Sequence, residues 1–476
     1  MTSKHPILIQ GGMGIAVSGW QLAKAVSQRG QLGVVSGTAI NSVLVRRLQD
    51  GDFQGHMRSA LAAFPFPKIA QKVLDTFFIE GGRDRTKPYK RSPLFAIEPS
   101  LAVLQLTTLA SFAEVWLAKE NHAGLIGLNL LEKIQLPNLA CLYGAMLADV
   151  DYVIMGAGIP REIPGALDLL SENKKASLKI PVVDGQEDCL TFFDPVVVCE
   201  QMDLKKLKRP YFFPIVSSAV LAMNLKKKST GRVDGFIVEG PLAGGHNAPP
   251  RGPMKLNDRG EPIYGERDEV SLEQMVALEL PFWMAGHYAT PEKLKEAQRL
   301  GAQGIQVGTL FAFSDESGLD RELRKQSTFA VLNEPAPKGG WIFTDPLSSP
   351  TGFPFKAAKF PGSISEESNY QSRKRICDLG YLRHAYRKED GSVGQRCPAE
   401  PVSDFIKKGG KIEDTVGKKC LCNALMADIG MAQIQSDGKA EIHLLTAGDD
   451  LNHLSRILKN NQTSYTAGDV IDYLLT

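Results

Sequence analysis

Along residues 6–330 the apolar positions fall in short continuous runs, separated by stretches with helical spacing. Eight runs read as strands: Pro6–Gln10, Leu32–Ser36, Leu125–Leu130, Asp151–Ala157, Phe212–Ser217, Gly235–Glu239, Pro281–Ala285 and Gly304–Gly308. Most are unbroken rather than alternating, as in parallel strands covered on both faces. Helical spacing between and after them predicts helices over Ser18–Gln28, Asn41–Gln49, Pro137–Leu147, Ile163–Leu170, Ala219–Lys228, Leu272–Leu280, Pro291–Leu300 and Gly318–Leu332. Ser18 is expected to cap the first helix, with Gly30 just past its end. Thr290 precedes a proline at the first helical position, and Gly301 follows the last turn.

Eight such units predict an α/β (β/α)8 barrel. The competing doubly wound sheet normally carries Gly-x-Gly-x-x-Gly after its first strand, where this chain has Gln10-Gly11-Gly12-Met13-Gly14. No acidic residue ends the second strand either, so the barrel is preferred. Residues 1–332 are read as the barrel, with an insertion at about 51–120 that holds a Phe-Pro-Phe-Pro stretch and basic residues from Arg83 to Arg91. Residues 333–476 are read as a C-terminal cap, with helical candidates at Cys422–Gln433 and Leu451–Asn460.

Composition narrows the classes. The chain has 476 residues, 43% hydrophobic and 23% charged, the balance of a soluble globular protein. A net charge of +2 gives no reason to expect nucleic acid or an acidic membrane surface as partner. The start, Met1 to Pro6, lacks the features of a signal peptide, and no run approaches 18 uninterrupted apolar residues. Seven cysteines, an odd number, fit a cytoplasmic protein with reduced thiols.

In a barrel the chemistry gathers at the C-terminal ends of the strands. Strand seven runs into Gly286-His287 and strand eight reads Ile305-Gln306-Val307-Gly308-Thr309. Gly286, Gly308 and Thr309 could offer backbone N–H groups and a hydroxyl to a phosphate. The first strand ends in Gly12-Met13, the third in Asn129, the fifth in Ser217-Ser218 and the sixth in Glu239. Beyond Glu239 comes Gly240-Pro241-Leu242-Ala243-Gly244-Gly245-His246, a glycine turn ending on an imidazole that can move protons near neutral pH. Polar groups at these points on apolar strands suit the phosphate, ribityl chain and ring edge of a flavin.

The stretches Ile9–Gly14, Gly127–Asn129, Glu239–His246 and Gly301–Thr309 resemble the nitronate monooxygenase family, FMN-dependent barrels once called 2-nitropropane dioxygenases. They are similar in the same way to flavin-dependent enoyl-acyl-carrier-protein reductases. The resemblance implies FMN, with Met13, Asn129, Gly245, Gly286, Gly308 and Thr309 near it and His246 as catalytic base. Gly12, Ser217, Glu239, Gly244 and Gln306 complete the expected cofactor site. A small-molecule substrate, nitronate or enoyl thioester, is expected; an acyl carrier is a minor possibility for Lys87–Arg91. The family often has Ala-Pro-Met where this chain has Gly11-Gly12-Met13, and Gly-Gly where it has Gly286-His287. These departures and the two additions point to a longer subgroup.

Four cysteines, Cys377, Cys397, Cys420 and Cys422, lie in the extension, and four thiolates could ligate zinc or an iron–sulfur cluster. The Cys-x-Cys gap is short and the other two lie far off, so buried free thiols are the expectation and no metal site is assigned. Asp149 and Asp151, at the non-catalytic end of a strand, are expected to be solvated. Trp341–Pro350 reads equally as a loop closing the site or a packed crossover.

Overall fold

The computed structural model describes residues 5–183, 185, 187–458 and 463–476. Met1–Lys4 and residues 459–460 of the last helical candidate lie outside them. Eight parallel strands form one sheet: β1 (Leu8–Gln10), β2 (Gly33–Ser36), β3 (Ile126–Leu131), β4 (Tyr152–Gly156), β5 (Tyr211–Val216), β6 (Phe236–Glu239), β7 (Phe282–Ala285) and β8 (Gly304–Val307). From β2 onward each pairs with the next in the chain, and β8 pairs with β1 in the register Leu8↔Ile305. A parallel bridge between Ile9 and Leu32 joins β1 to the start of β2 and closes the (β/α)8 barrel.

Alternation along the strands decides what fills it. Ile9, Val34, Tyr152, Ile154, Phe213, Ile237, Trp283 and Ala285 form one buried cluster, the barrel interior. The Trp283 indole N–H donates to the Pro6 carbonyl at 3.0 Å, so its one polar atom is paired. Two residues beyond interior positions come Gly156, Ile215 and Glu239, which therefore face the barrel mouth.

The helices outside the sheet follow the expected order, with two corrections. Ser18 does not cap the first helix, Trp20–Gln28, whose N-cap is Gly19. The Ser18 hydroxyl instead accepts the Met13 N–H at 3.0 Å and donates to the Gly11 carbonyl at 3.0 Å, pinning the turn after β1. The segment expected as an insertion also contains Leu101–Lys119, which packs against Trp20–Gln28 and Asn138–Leu147 and so takes the barrel's second helix position. By length and hydropathy this helix could cross a membrane, but 83% of its apolar window is buried inside the fold. Its buried Glu114 is ion-paired with Arg47. Expected caps do appear at Thr290, whose hydroxyl accepts the Lys293 N–H at 3.2 Å, and at Gly30 and Gly301, both with positive φ.

Asp151 is not solvated. It is buried at the foot of β4, bound by Lys119 at 2.8 Å and Lys208 at 2.9 Å, and accepts the Ile126 N–H at 3.0 Å. Arg83, in the basic stretch, is spent on Asp50 at 3.1 Å and on the face of Tyr89 at 3.6 Å.

Residues beyond 333 wrap the barrel mouth. The strand Phe355–Ala358 pairs antiparallel with Ile342–Asp345 on one side and with Gly245–His246 on the other. The helix Ala467–Leu474 packs back on Trp20–Gln28, and its buried residues join the main core. At the strand-seven corner, His287 Nδ1 and His453 Nδ1 approach Asp450 Oδ1 at 3.0 and 3.3 Å.

Candidate active site

The turn after β6 is held by a borrowed strand. Gly245 pairs with Lys356 and His246 with Phe355, so Gly245-His246 is an edge strand rather than a free loop. Gly245 has φ +82°, a conformation that favours glycine. A Cβ on Gly244 would stand 2.7 Å from the carbonyl carbon of Ala447, so only glycine lets the C-terminal segment approach. His246 Nε2 lies 2.7 Å from Ser349 Oγ, and the Phe355 ring meets the imidazole edge-on at 4.9 Å. The loop Trp341–Pro350 thus delivers a partner to the histidine.

His246 borders a cavity of ≈ 1150 Å³ of empty space, part of it open to solvent, at the C-terminal end of the barrel. Of the expected residues, Gly12, Met13, Asn129, Glu239, Gly244, Gly245, His246, Gln306, Gly308 and Thr309 line it. Two do not. Ser217 borders an adjoining space of ≈ 1040 Å³, and its neighbour Ser218 caps the helix Ala219–Lys228. Gly286 packs against the turn after β6, where a Cβ would lie 2.9 Å from the Gly240 carbonyl oxygen.

The extension supplies walls that sequence reasoning missed: Phe355, Leu425, Asp428, Leu445, Thr446 and Ala447. They lie more than 100 positions beyond His246, and no local spacing marks them. Thr309 Oγ1 accepts the Gly448 N–H at 2.9 Å, which ties the end of β8 to this wall and leaves the hydroxyl hydrogen to donate elsewhere.

Burial governs the ionisation here. It lowers the His246 imidazole to about 4, so the ring is neutral at physiological pH. It raises the Glu239 carboxyl to about 7 and the Asp428 carboxyl well above the ordinary range. The Asp428 carboxyl accepts the Leu444 N–H at 3.2 Å. Within the lining, Gln306 Oε1 and Thr446 Oγ1 are buried without a hydrogen-bond partner, and each is an acceptor that a bound polar molecule could satisfy. A neutral imidazole beside unpaired polar groups in an apolar pocket can take a proton from a carbon acid and hold a polar heterocycle.

Residues 196–333 match the family model for nitronate monooxygenase. That segment runs from just before β5 through the helix after β8 and includes His246, Gly308 and Thr309. The family resemblance is borne out over this segment. No curated protein matches the chain in sequence. Among solved structures it is similar to FabK from Thermotoga maritima, with 14% identity over 99% of this chain and 92% of that one, TM-score 0.47. It is also similar to nitroalkane oxidase from Streptomyces ansochromogenes, with 15% identity, 98% and 94% coverage and TM-score 0.45. The enoyl reductase domain of MlnA from the macrolactin biosynthesis cluster of Bacillus amyloliquefaciens gives 10%, 98%, 93% and 0.47.

Proposed function

We propose that this chain is an FMN-dependent oxidoreductase that oxidises nitronates, or their parent nitroalkanes, with dioxygen. The observation that carries the reading is the neutral His246, fixed by Ser349 at the wall of a cavity lined by strand ends. The site fits the cofactor on two counts. Gly12 lies so close to Asn129 that a Cβ would fall 2.2 Å from the Asn129 Cβ, leaving a flat backbone surface beside the cavity. Gln306 Oε1 and Thr446 Oγ1 are unpaired acceptors in the lining. Gln306, Asn129 and Met13 would border the ring system, and Gly308, Thr309 and Thr446 would hold the phosphate end. When bound, FMN supplies the electron acceptor that carbon oxidation requires.

The protein's own part is proton handling and exclusion of water. In the tautomer where Nε2–H donates to Ser349 Oγ, Nδ1 keeps the lone pair that a base needs. Ser349 is itself braced by Thr351, whose hydroxyl lies 2.7 Å away and whose N–H donates at 3.2 Å. The Phe355 ring, edge-on at 4.9 Å, shields one side of the imidazole from solvent. His246 would remove the acidic α-proton of a nitroalkane, or orient the nitronate, which carries no such proton.

A second reading, reduction of an enoyl thioester by NAD(P)H, is favoured by the adjoining space. It shares Ile215, Glu239 and His246 with the first cavity and continues past Leu221, Pro249 and Phe353, apolar enough for an acyl chain. Anaerobic mixing separates the two: bleaching of the flavin by nitronate alone supports the oxygenase, and rapid bleaching by NADPH supports the reductase. A protein that takes up no FMN would defeat both.

A further inference from the structure

Past β7 the chain turns at Gly286-His287, and His287 takes φ +67°, a conformation that residues other than glycine rarely adopt. Opposite it lies the 3-10 turn Asp449–His453 of the C-terminal extension. With three residues per turn, such a helix eclipses the side chains at i and i+3, so Asp450 and His453 share one face. That face meets His287. The Nδ1 atoms of His287 and His453 approach the same oxygen, Asp450 Oδ1, at 3.0 and 3.3 Å. Among the described residues this is the group of three whose ligand atoms all lie within 4.8 Å of one another.

We propose that His287, Asp450 and His453 bind one zinc ion. Zinc bonds of about 2.0–2.1 Å at tetrahedral angles set neighbouring ligand atoms about 3.3–3.4 Å apart, against 3.0 and 3.3 Å here. They also put the ion about 3.2 Å from each imidazole centroid, and so the two centroids about 5.2 Å apart. The His287 and His453 centroids are 5.1 Å apart. The right angles of an octahedral ion would bring them to about 4.7 Å, so the spacing of the rings favours zinc over ferrous iron or magnesium. The His287 side chain is 35% exposed, which leaves water access to the fourth position.

A second observation points the same way. Asp450 is buried, and among the described residues its ion-pair partners are these two imidazoles. A carboxylate taken out of water needs a counter-charge. When no ion is bound, a proton on His287 supplies it, and Asp450 holds that imidazole above its ordinary value by hydrogen bonding and charge. The contact is bent: both Nδ1 atoms and Asp450 Oδ1 are buried without a hydrogen-bond partner of good geometry. Three lone-pair atoms that converge in this way suit a cation at their centre. The ion would tie the strand-seven corner to the extension just past Thr446 and Ala447, which wall the main cavity. It is a clamp on the cap and does not rest on the activity proposed above.

The test uses the untagged full chain, stripped with a chelator, dialysed and titrated with zinc. One zinc per chain is expected, with a Tm that rises with zinc concentration. Zinc-edge X-ray absorption should show nitrogen and oxygen at about 2.0–2.1 Å and no sulfur at about 2.3 Å. His453→Ala should weaken zinc binding more than about 100-fold, beyond what loss of a supporting residue costs. Sulfur neighbours would put the ion among the cysteines and overturn the proposal. Wild-type affinity in His453→Ala, a preference for ferrous iron over zinc, or less than about 0.1 equivalent of zinc after titration would each overturn it as well. Should His453→Ala fail to fold, X-ray absorption of the wild-type chain decides. None of these readouts needs turnover.

Discussion

A base held neutral by burial leaves a specific trace in the pH profile. With His246 at about 4, the neutral fraction is about nine-tenths at pH 5 and close to one at pH 7. At the ordinary imidazole value of about 6.5 the rate at pH 5 would be about one twenty-fifth of that at pH 7. The two cases differ more than twentyfold at one pH. The assay is kcat/KM by oxygen uptake from pH 4 to 8, with a nitroalkane that stays un-ionised over the range, because this ratio reports the free enzyme. Glu239, raised to about 7 in the same cavity, adds its own limb, so the profile is repeated in Glu239→Gln, where that position is always neutral. The expected Glu239→Gln profile is flat to pH 5 and half-maximal near 4. His246→Ala should lose 10²–10⁴-fold at pH 7, the usual worth of a positioned base. A limb between pH 6 and 7 that persists in Glu239→Gln would refute the neutral-base argument, and wild-type turnover by His246→Ala would refute the role itself.

Three further outcomes follow from named contacts. Asp428 keeps its proton in the folded state at pH values where the unfolded chain, with a carboxyl near about 3.9, has released it, so its contribution to stability falls as pH rises. Asp428→Asn should therefore gain in Tm over wild type from pH 4 to pH 8, and a gain that shrinks over that range would contradict the burial effect. Gly12→Ala forces a Cβ to within 2.2 Å of Asn129 and should cost about 1–3 kcal/mol in denaturant melts while weakening FMN uptake. Partial recovery in Gly12→Ala/Asn129→Gly would verify the contact, and two independent losses would argue against it. Ser349→Ala removes the partner of His246 Nε2 and should lower kcat about tenfold with KM little changed, the worth of one hydrogen bond; equal kcat would show that Ser349 does not orient the ring.

The barrel was legible because parallel strands covered on both faces must be apolar throughout, and eight such runs stand clear of the helical spacing between them. Leu101–Lys119 was misplaced for the opposite reason. Buried nearly all round, it carries no polar stripe, and so nothing in its spacing ties it to the ring of helices. Asp151 read as a surface carboxylate because its partners, Lys119 and Lys208, are set by three-dimensional proximity at the barrel foot. At the site, strand ends could be read one by one as far as His246 and Thr309. Phe355, Asp428 and Thr446 could not, since they reach the cavity through strand addition and a returning chain end.

The pairing of Gly245–His246 with Phe355–Ala358 also sets a schedule for the ribosome. His246 leaves the exit tunnel 109 positions before Phe355 and 201 before Ala447, by simple difference of their numbers. At the usual 5–20 residues per second, the barrel mouth waits roughly 10–40 s for its last wall. During that interval the nascent chain exposes an unpaired strand edge and an uncovered apolar basin. A translational pause or a premature stop after the barrel would therefore yield a sticky, unfinished protein rather than a smaller working enzyme.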